Sequence, residues 1–480
     1  MKLFILFIMM TIFVYTQTKN PELTALIEAG EFKKASELID KILKTDILSP
    51  QEYFQLQFEK ERLNRIRKDF NKTPEDILKF VRKYYPDINE SDLIKWEQDG
   101  SLEFKIIDGK KWYFARASSN LFRINKEAKK QKELVDGPYK DPLDLFLEEY
   151  VPLVLKESKL KSLQLVKPVR LKLNYTVTVL ENAVPEGEVI RCWLPFPREG
   201  HNRQVNIKLL AVNSDEYVVA SNYNQQRTIY FEKVAQKDQP TVFNMVLEVT
   251  NYAEVNKINP SEIKPYKTNS GLFKTYTSER YPHIVFTDKI KKLSDEIVGD
   301  EKNPYLIAKR IFTWINDNIP WAGAREYSTI ENISDYCITR MHGDCGIKTL
   351  LFMTLCRYNG IPTKWQSGWM LHPGEVNLHD WCEIYFEGYG WLPVDQSFGL
   401  INSENEDEKY FFLGSIDVYH LITNDDYSSP LFPAKIFPRS ETVDFQRGEL
   451  EWRGGNLYFD KWKYKMEVEY SELNNFEELK

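Results

Sequence analysis

One helix limits how this chain can fold more than any other feature. The residues after Asp344 read as a helix that stops at Asn359-Gly360, with Pro362 just beyond. Glycine past the last turn and proline after it are stop signals, and Asp344 is placed to cap the start. Ile347, Leu350, Leu351 and Leu355 supply an apolar face, and the helix is so largely apolar that it reads as central and buried. The rest of the fold has to be arranged around it. Its first residue is Cys345, between Gly343 and Gly346. In a first turn, unpaired amides and the helix dipole favour an anion, here a thiolate. The two glycines keep the surroundings narrow, so a substrate backbone is expected to approach closely.

A proton acceptor is expected to face such a thiol. His379 opens a segment that alternates as a strand, with Cys382, Ile384 and Phe386 on one face and His379, Trp381, Glu383 and Tyr385 on the other. The turn Gly388-Tyr389-Gly390 leads into Trp391–Val394, which ends at Asp395. A turn centred on Tyr389 sets Asp395 opposite Glu383. That is the histidine's face but two side-chain steps away, so a bend or bulge is expected to close the gap. Asp395 could then orient His379, and His379 could draw the proton from Cys345.

Three pieces in this order, Gly343-Asp344-Cys345 at a helix start, His379-Asp380-Trp381-Cys382-Glu383 on a strand and Trp391-Leu392-Pro393-Val394-Asp395 on the next, resemble the transglutaminase-like superfamily, a branch of the papain-like thiol enzymes. The resemblance covers roughly residues 280–425. It implies a triad with Cys345 as nucleophile, His379 as base and then acid, and Asp395 as orienting carboxylate. It also implies a thioester acyl-enzyme that passes to water or to an amine. The amide of Cys345 is an expected oxyanion donor. Trp321 and Trp365 are candidates for substrate binding by residue type, and His342 is a further candidate substrate contact. No cofactor is implied. With no Cys-x-x-Cys and no histidine cluster at zinc spacing, no metal is expected.

Other residues read as structural. Cys356 and Cys382 belong to the core, as do Cys192 and Cys337. His342 and His372 read as loop residues in solvent, and Glu383 as a surface or supporting group. Trp369, Trp381 and Trp391 are expected to pack around the site. Specificity is expected from the loops Trp321–Ile330 and Met370–Leu378.

The chain of 480 residues is long enough for two to four domains, and 42% apolar residues suffice for real cores. A net charge of -7 with both signs dispersed argues against a nucleic-acid binder. Lys2 and the apolar run Leu3–Val14 read as a signal peptide over 1–16, too short to span a bilayer. Export to the periplasm, cell surface or medium follows as an expectation, with no transmembrane segment in the mature chain. Helical spacing, the capping box Ser49-Pro50-Gln51-Glu52 and a hairpin at Asp108-Gly109 make 17–165 a mainly helical module. This module could bind a partner protein. Alternation at Leu171–Val179, Val189–Leu194, Val205–Leu210, Thr228–Phe231 and Phe243–Val249 predicts a β-sandwich over 166–260. The catalytic core is placed at 261–430 and a C-terminal strand extension at 431–480. The fold class is therefore α+β and multidomain, with a papain-like core. Amide hydrolysis on a protein or peptide is the leading function. Glutamine–lysine cross-linking is the alternative, and a non-catalytic exported scaffold is the competitor of another class.

Overall fold

The computed structural model of the protein describes residues 20–473. The signal-peptide reading falls outside them. The fold is α+β, with several antiparallel sheets.

The N-terminal helices surround a small sheet of β1 (Phe70–Lys72), β2 (Phe104–Ile107) and β3 (Lys110–Phe114), ordered β1-β3-β2. The hairpin falls where Asp108-Gly109 predicts it. Both residues adopt positive φ, 48° and 77°, as a tight hairpin turn matching the strand twist requires. The capping box at Ser49 is present in both directions, with Glu52 N–H donating to Ser49 Oγ and Ser49 N–H to Glu52. These elements share a core of their own, from Leu23 to Ala128.

After the helix Pro142–Lys161 come β4 (Leu165–Val179), β5 (Val189–Pro195), β6 (Gln204–Val212), β7 (Val218–Val219), β8 (Thr228–Val234) and β9 (Thr241–Glu254). Alternate residues of β4 and β9 are buried, among them Leu171, Leu173, Tyr175, Phe243, Met245 and Leu247. Each such side chain contributes about 1.5–3 kcal/mol by leaving water. The site region supplies β10 (Thr363–His372), β11 (Glu375–Phe386), β12 (Gly390–Val394) and β13 (His420–Asn424), in spatial order β12-β11-β10-β13. Residues 370–378, expected as a loop, are largely the hairpin of β10 and β11, paired out to His372 and Glu375.

The last strands are β14 (Glu449–Trp452), β15 (Gly455–Leu457) and β16 (Trp462–Glu472). They complete the sandwich: β16 runs antiparallel along β4 from Trp462–Val179 to Glu472–Val169, and β14 lies beside β5. The two sheets read β16-β4-β9-β6 and β15-β14-β5-β8-β7.

The helix Cys345–Tyr358 is central, with every residue from Gly346 to Arg357 buried. It lies on the face of β11 that carries Cys382, and Thr349 Oγ1 donates to the Asp380 carbonyl at 3.4 Å. The sandwich reaches the same face at Trp369, which pairs with Leu378 and so shares the parity of Asp380 and Cys382. Tyr175 stacks on Trp369 with ring centroids 5.1 Å apart. Gln204 accepts from Ile422 N–H at 2.7 Å and donates back to its carbonyl at 2.9 Å, while Arg203 and Asn251 donate to the His420 carbonyl at 2.7 and 3.1 Å. β13 is thereby tied in place by buried side chains of the sandwich. At Gly368 on β10 there is no room for a side chain, since a Cβ would collide with the Leu421 carbonyl of β13. Gly368→Ala should therefore cost about 1–3 kcal/mol through overpacking. A urea midpoint unchanged from the parent would show that the β10–β13 contact is looser than this packing requires.

Candidate active site

Cys345 is the first residue of the central helix, and Asp344 caps it by accepting from Ile347 N–H at 3.2 Å. Asp344 also accepts from the Tyr327 hydroxyl at 2.7 Å, and that hydroxyl accepts from Gly346 N–H at 3.1 Å. The flanking glycines do not open space for a substrate backbone, contrary to expectation. A Cβ on Gly346 would collide with Tyr327 and Asp380, and one on Gly343 with Ile347. The protein's own side chains fill both places.

Cys345 is partly exposed, while Cys192, Cys337, Cys356 and Cys382 are buried, and all five are free. The hydrogen-bond partner of the thiol is Asp380 Oδ2 at 3.4 Å, not His379. Asp380 is buried and is held on its other oxygen by Gln446 Nε2 at 2.6 Å. Burial first, then the Asp380 and Asp344 carboxylates, push the thiol well above its ordinary range. Burial, then Asp344, raises Asp380 well above the usual carboxylate range, and burial lifts Asp344 to about 6. These effects oppose the thiolate that the helix start favours. A helix dipole acts the other way, by about 0.3–1 kcal/mol. The sequence signal was present: Asp380 has the same strand parity as Cys382, so it faces the helix.

His379 Nε2 lies 2.6 Å from Asp395 Oδ2, and both side chains are buried. No bulge is needed, which corrects the expected register. Tyr385 pairs with Trp391 and Glu383 with Pro393, so the turn centres on Gly388 and Asp395 falls level with Trp381, diagonal to His379. Asp395 Oδ1 accepts the amides of Ser397 and Phe398 at 2.8 and 3.0 Å, which turns the chain away from the sheet. Burial would raise the Asp395 carboxyl, but His379 and His420 hold it far below its ordinary value. Burial lowers His379 below 6.5, and Asp395 opposes this only in part. Phe398 and Trp381 flank the His379 ring at centroid distances of 4.8 and 5.8 Å.

His420 was not singled out in the sequence. Its Nε2 meets the same Asp395 Oδ2 at 2.9 Å, and its Nδ1 meets Asp417 Oδ1 at 2.9 Å. Asp417 Oδ2 faces His372 Nε2 at 2.9 Å. Among the described residues, His372, Asp417 and His420, and likewise His379, Asp395 and His420, come near enough to suit a metal ion. In both sets the facing atoms are already joined in hydrogen bonds.

The remaining candidates divide. Trp321 is 39% exposed, bridged to Gly343 at the helix start and covered on one side by the Arg123 guanidinium at 4.6 Å. Trp365 is fully buried against Tyr427 and offers no surface to a ligand. His342 is buried edge-on to Tyr336, and burial lowers it to about 4. His372 is buried at the end of β10. Neither histidine is a solvated loop residue, because both segments are covered by packed side chains. Glu383 pairs with Lys364 at 2.6 Å, beside a cavity of about 310 Å³ that Trp391, Arg203 and Glu254 also line.

Residues 291–396 match the family model of the transglutaminase-like superfamily, a stretch that includes Cys345, His379 and Asp395. An uncharacterized protein of Haemophilus influenzae is 25% identical over 250 residues; the match covers 45% of this chain and 66% of that relative. A candidate cysteine protease from Cytophaga hutchinsonii superposes with a TM-score of 0.44 at 17% identity, over 65% of this chain and 93% of that one. The periplasmic domain of TgpA from Pseudomonas aeruginosa superposes with a TM-score of 0.26 at 14% identity, over 47% of this chain and 88% of its own. The capped helix and the histidine strand both fall within residues 291–396, the stretch that matches the transglutaminase-like superfamily core.

Proposed function

We propose that this core is a thiol enzyme that opens amide bonds in a protein or peptide, with Cys345 as nucleophile, His379 as base and Asp395 as its orienting carboxylate. One observation carries the reading. The single cysteine left partly open stands at a helix start beside the strand whose histidine is paired to a buried carboxylate at 2.6 Å.

His379 Nε2–H donates to Asp395, which leaves Nδ1 as the basic nitrogen. With the thiol donating to Asp380 in the resting geometry, the cycle begins with proton transfer and not with a standing ion pair. The thiol proton leaves Asp380 for His379 as substrate enters, since catalytic hydrogen bonds often tighten only in the complex. Sγ then bonds the carbonyl carbon, and the Cys345 amide is a donor for the oxyanion. The C–N bond breaks as His379 returns its proton to the leaving amine, and a thioester remains. Water, deprotonated by His379, splits the thioester to acid and thiol. Hydrolysis is favoured because nothing marks a separate amine site. The second reading is glutamine–lysine cross-linking, in which a neutral amine takes the place of water on the thioester.

Export rests on Lys2 and the apolar run Leu3–Val14. Among the described residues no helix is long and apolar enough to cross a membrane.

Cys345→Ala should lower peptide cleavage on the order of 10³-fold or more with its unfolding midpoint kept, and His379→Ala should lower cleavage as much while also losing stability, because it strands the Asp395 charge. Mass spectrometry of an unfolded protein and a peptide mixture, with and without an added amine, reads both hydrolysis and transfer. A Cys345→Ala protein as active as its parent would remove the enzyme reading and leave the binding scaffold. Asp380→Asn takes a negative charge from beside the sulfur. The titration midpoint of Cys345, followed by iodoacetamide labelling against pH, should then move down relative to the parent. An unmoved midpoint would mean that Asp380 does not hold the thiol neutral.

A further inference from the structure

His420 sits where nothing in the triad requires it. It is buried on β13 with a carboxylate against each ring nitrogen, Asp395 Oδ2 at Nε2 and Asp417 Oδ1 at Nδ1, both at 2.9 Å. A neutral imidazole has one donor and one lone pair, and a lone pair facing a carboxylate is repelled. Only the imidazolium satisfies both contacts. Asp417 completes the row by taking Tyr419 N–H at 2.8 Å on the first oxygen and facing His372 Nε2 at 2.9 Å with the second. The order through the core is His379, Asp395, His420, Asp417, His372.

The telling detail is which oxygen is shared. Asp395 presents Oδ2 to both His379 and His420, while Oδ1 is occupied by the amides of Ser397 and Phe398. A cation on Oδ2 withdraws the charge that would otherwise stabilise a protonated His379. We propose that His420 is a positioning residue of this site: as a buried cation on the oxygen that orients His379, it keeps the base unprotonated and extends the reaction to lower pH. The inference rests on the Cys345–His379–Asp395 reading. Burial opposes the His420 cation, yet Asp417 and Asp395 hold its ring up to about 9.

The other groups facing this row are few. Lys348 of the central helix faces Asp395 and acts in the same direction as His420. Arg203 from the sandwich faces Asp417 and donates to the His420 carbonyl, and Tyr150 and Tyr419 face Asp417. His372 adds a weak repulsion on His379, below that of His420.

The test is His420→Gln in the full chain, which removes the cation. With six histidines, the His379 imidazole can be assigned by its loss in His379→Ala and titrated by NMR. Its midpoint should rise by about one pH unit. The acid limb of peptide cleavage should move to higher pH with it. A merely structural role would lower the plateau and leave the limb in place. Should His420→Gln not fold, Asp417→Asn removes the carboxylate that keeps His420 charged and must shift His379 in the same direction. An unmoved His379 midpoint in a folded variant overturns the proposal and leaves the triad reading intact. A shifted midpoint with an inert Cys345 upholds the coupling and fails the triad. Release of a bound metal by chelator, with the same resonances moving, also overturns it, since a metal and not a proton would then join the nitrogens.

Discussion

A carboxylate with no access to water keeps its charge only if the protein answers every lone pair, and Asp395 is answered four times. Two amides hold one oxygen and two imidazoles the other. Much of the site's geometry follows from that demand. The amides come from the turn that ends β12, so the chain must leave the sheet there. The imidazoles come from β11 and β13, which lie on either side of β10, so Asp395 spans the sheet face to reach both. Leaving one of these partners out would strand a buried charge, at a cost of about 1–3 kcal/mol per lost bond and more where the lost partner is itself charged.

What could be read in advance was whatever depends on local periodicity. The cap at Asp344, the stop at Gly360, the Asp108-Gly109 hairpin and the alternating strands of the sandwich all fall close to where the residues place them. The register between β11 and β12 went astray by two because Gly388 and Gly390 both tolerate positive φ, and a turn can centre beside either. Asp380 was legible in principle, since strand parity alone puts it under the helix. His420 was not. It reaches Asp395 from β13 across an irregular stretch with no period, and only the pairing of β13 with β10 brings it there. The pull of the helix start on the thiol was correct physics applied to an incomplete neighbourhood.

The parts outside the core hold what the core leaves loose. The helical module grips the segment Trp321–Ile330 by paired bonds between Asn120 and Gly323, by Asp69 accepting from Glu326 N–H and Thr329, and by Arg123 over Trp321. Residues that sequence alone would leave as a free specificity loop are therefore fixed in shape by a separate hydrophobic core. The sandwich does the same for β13. Both attachments place buried polar side chains on backbone groups, Asn120 in one and Arg203, Gln204 and Asn251 in the other, which set position more strictly than apolar contact does.

The order of the chain adds a consequence in time. Gln446, which clasps both Asp380 and the His379 carbonyl, and β16, which closes the long edge of β4, lie near the end of the described residues. As the chain emerges from the ribosome, the thiol, the histidine and the strand edge all appear before the segment that covers them. The core can collapse early, but its polar centre is finished last. Until then β4 offers an unpaired edge, the kind of surface on which neighbouring chains associate. Synthesis that stalls short of residue 446 would yield a sticky protein with its polar centre unassembled.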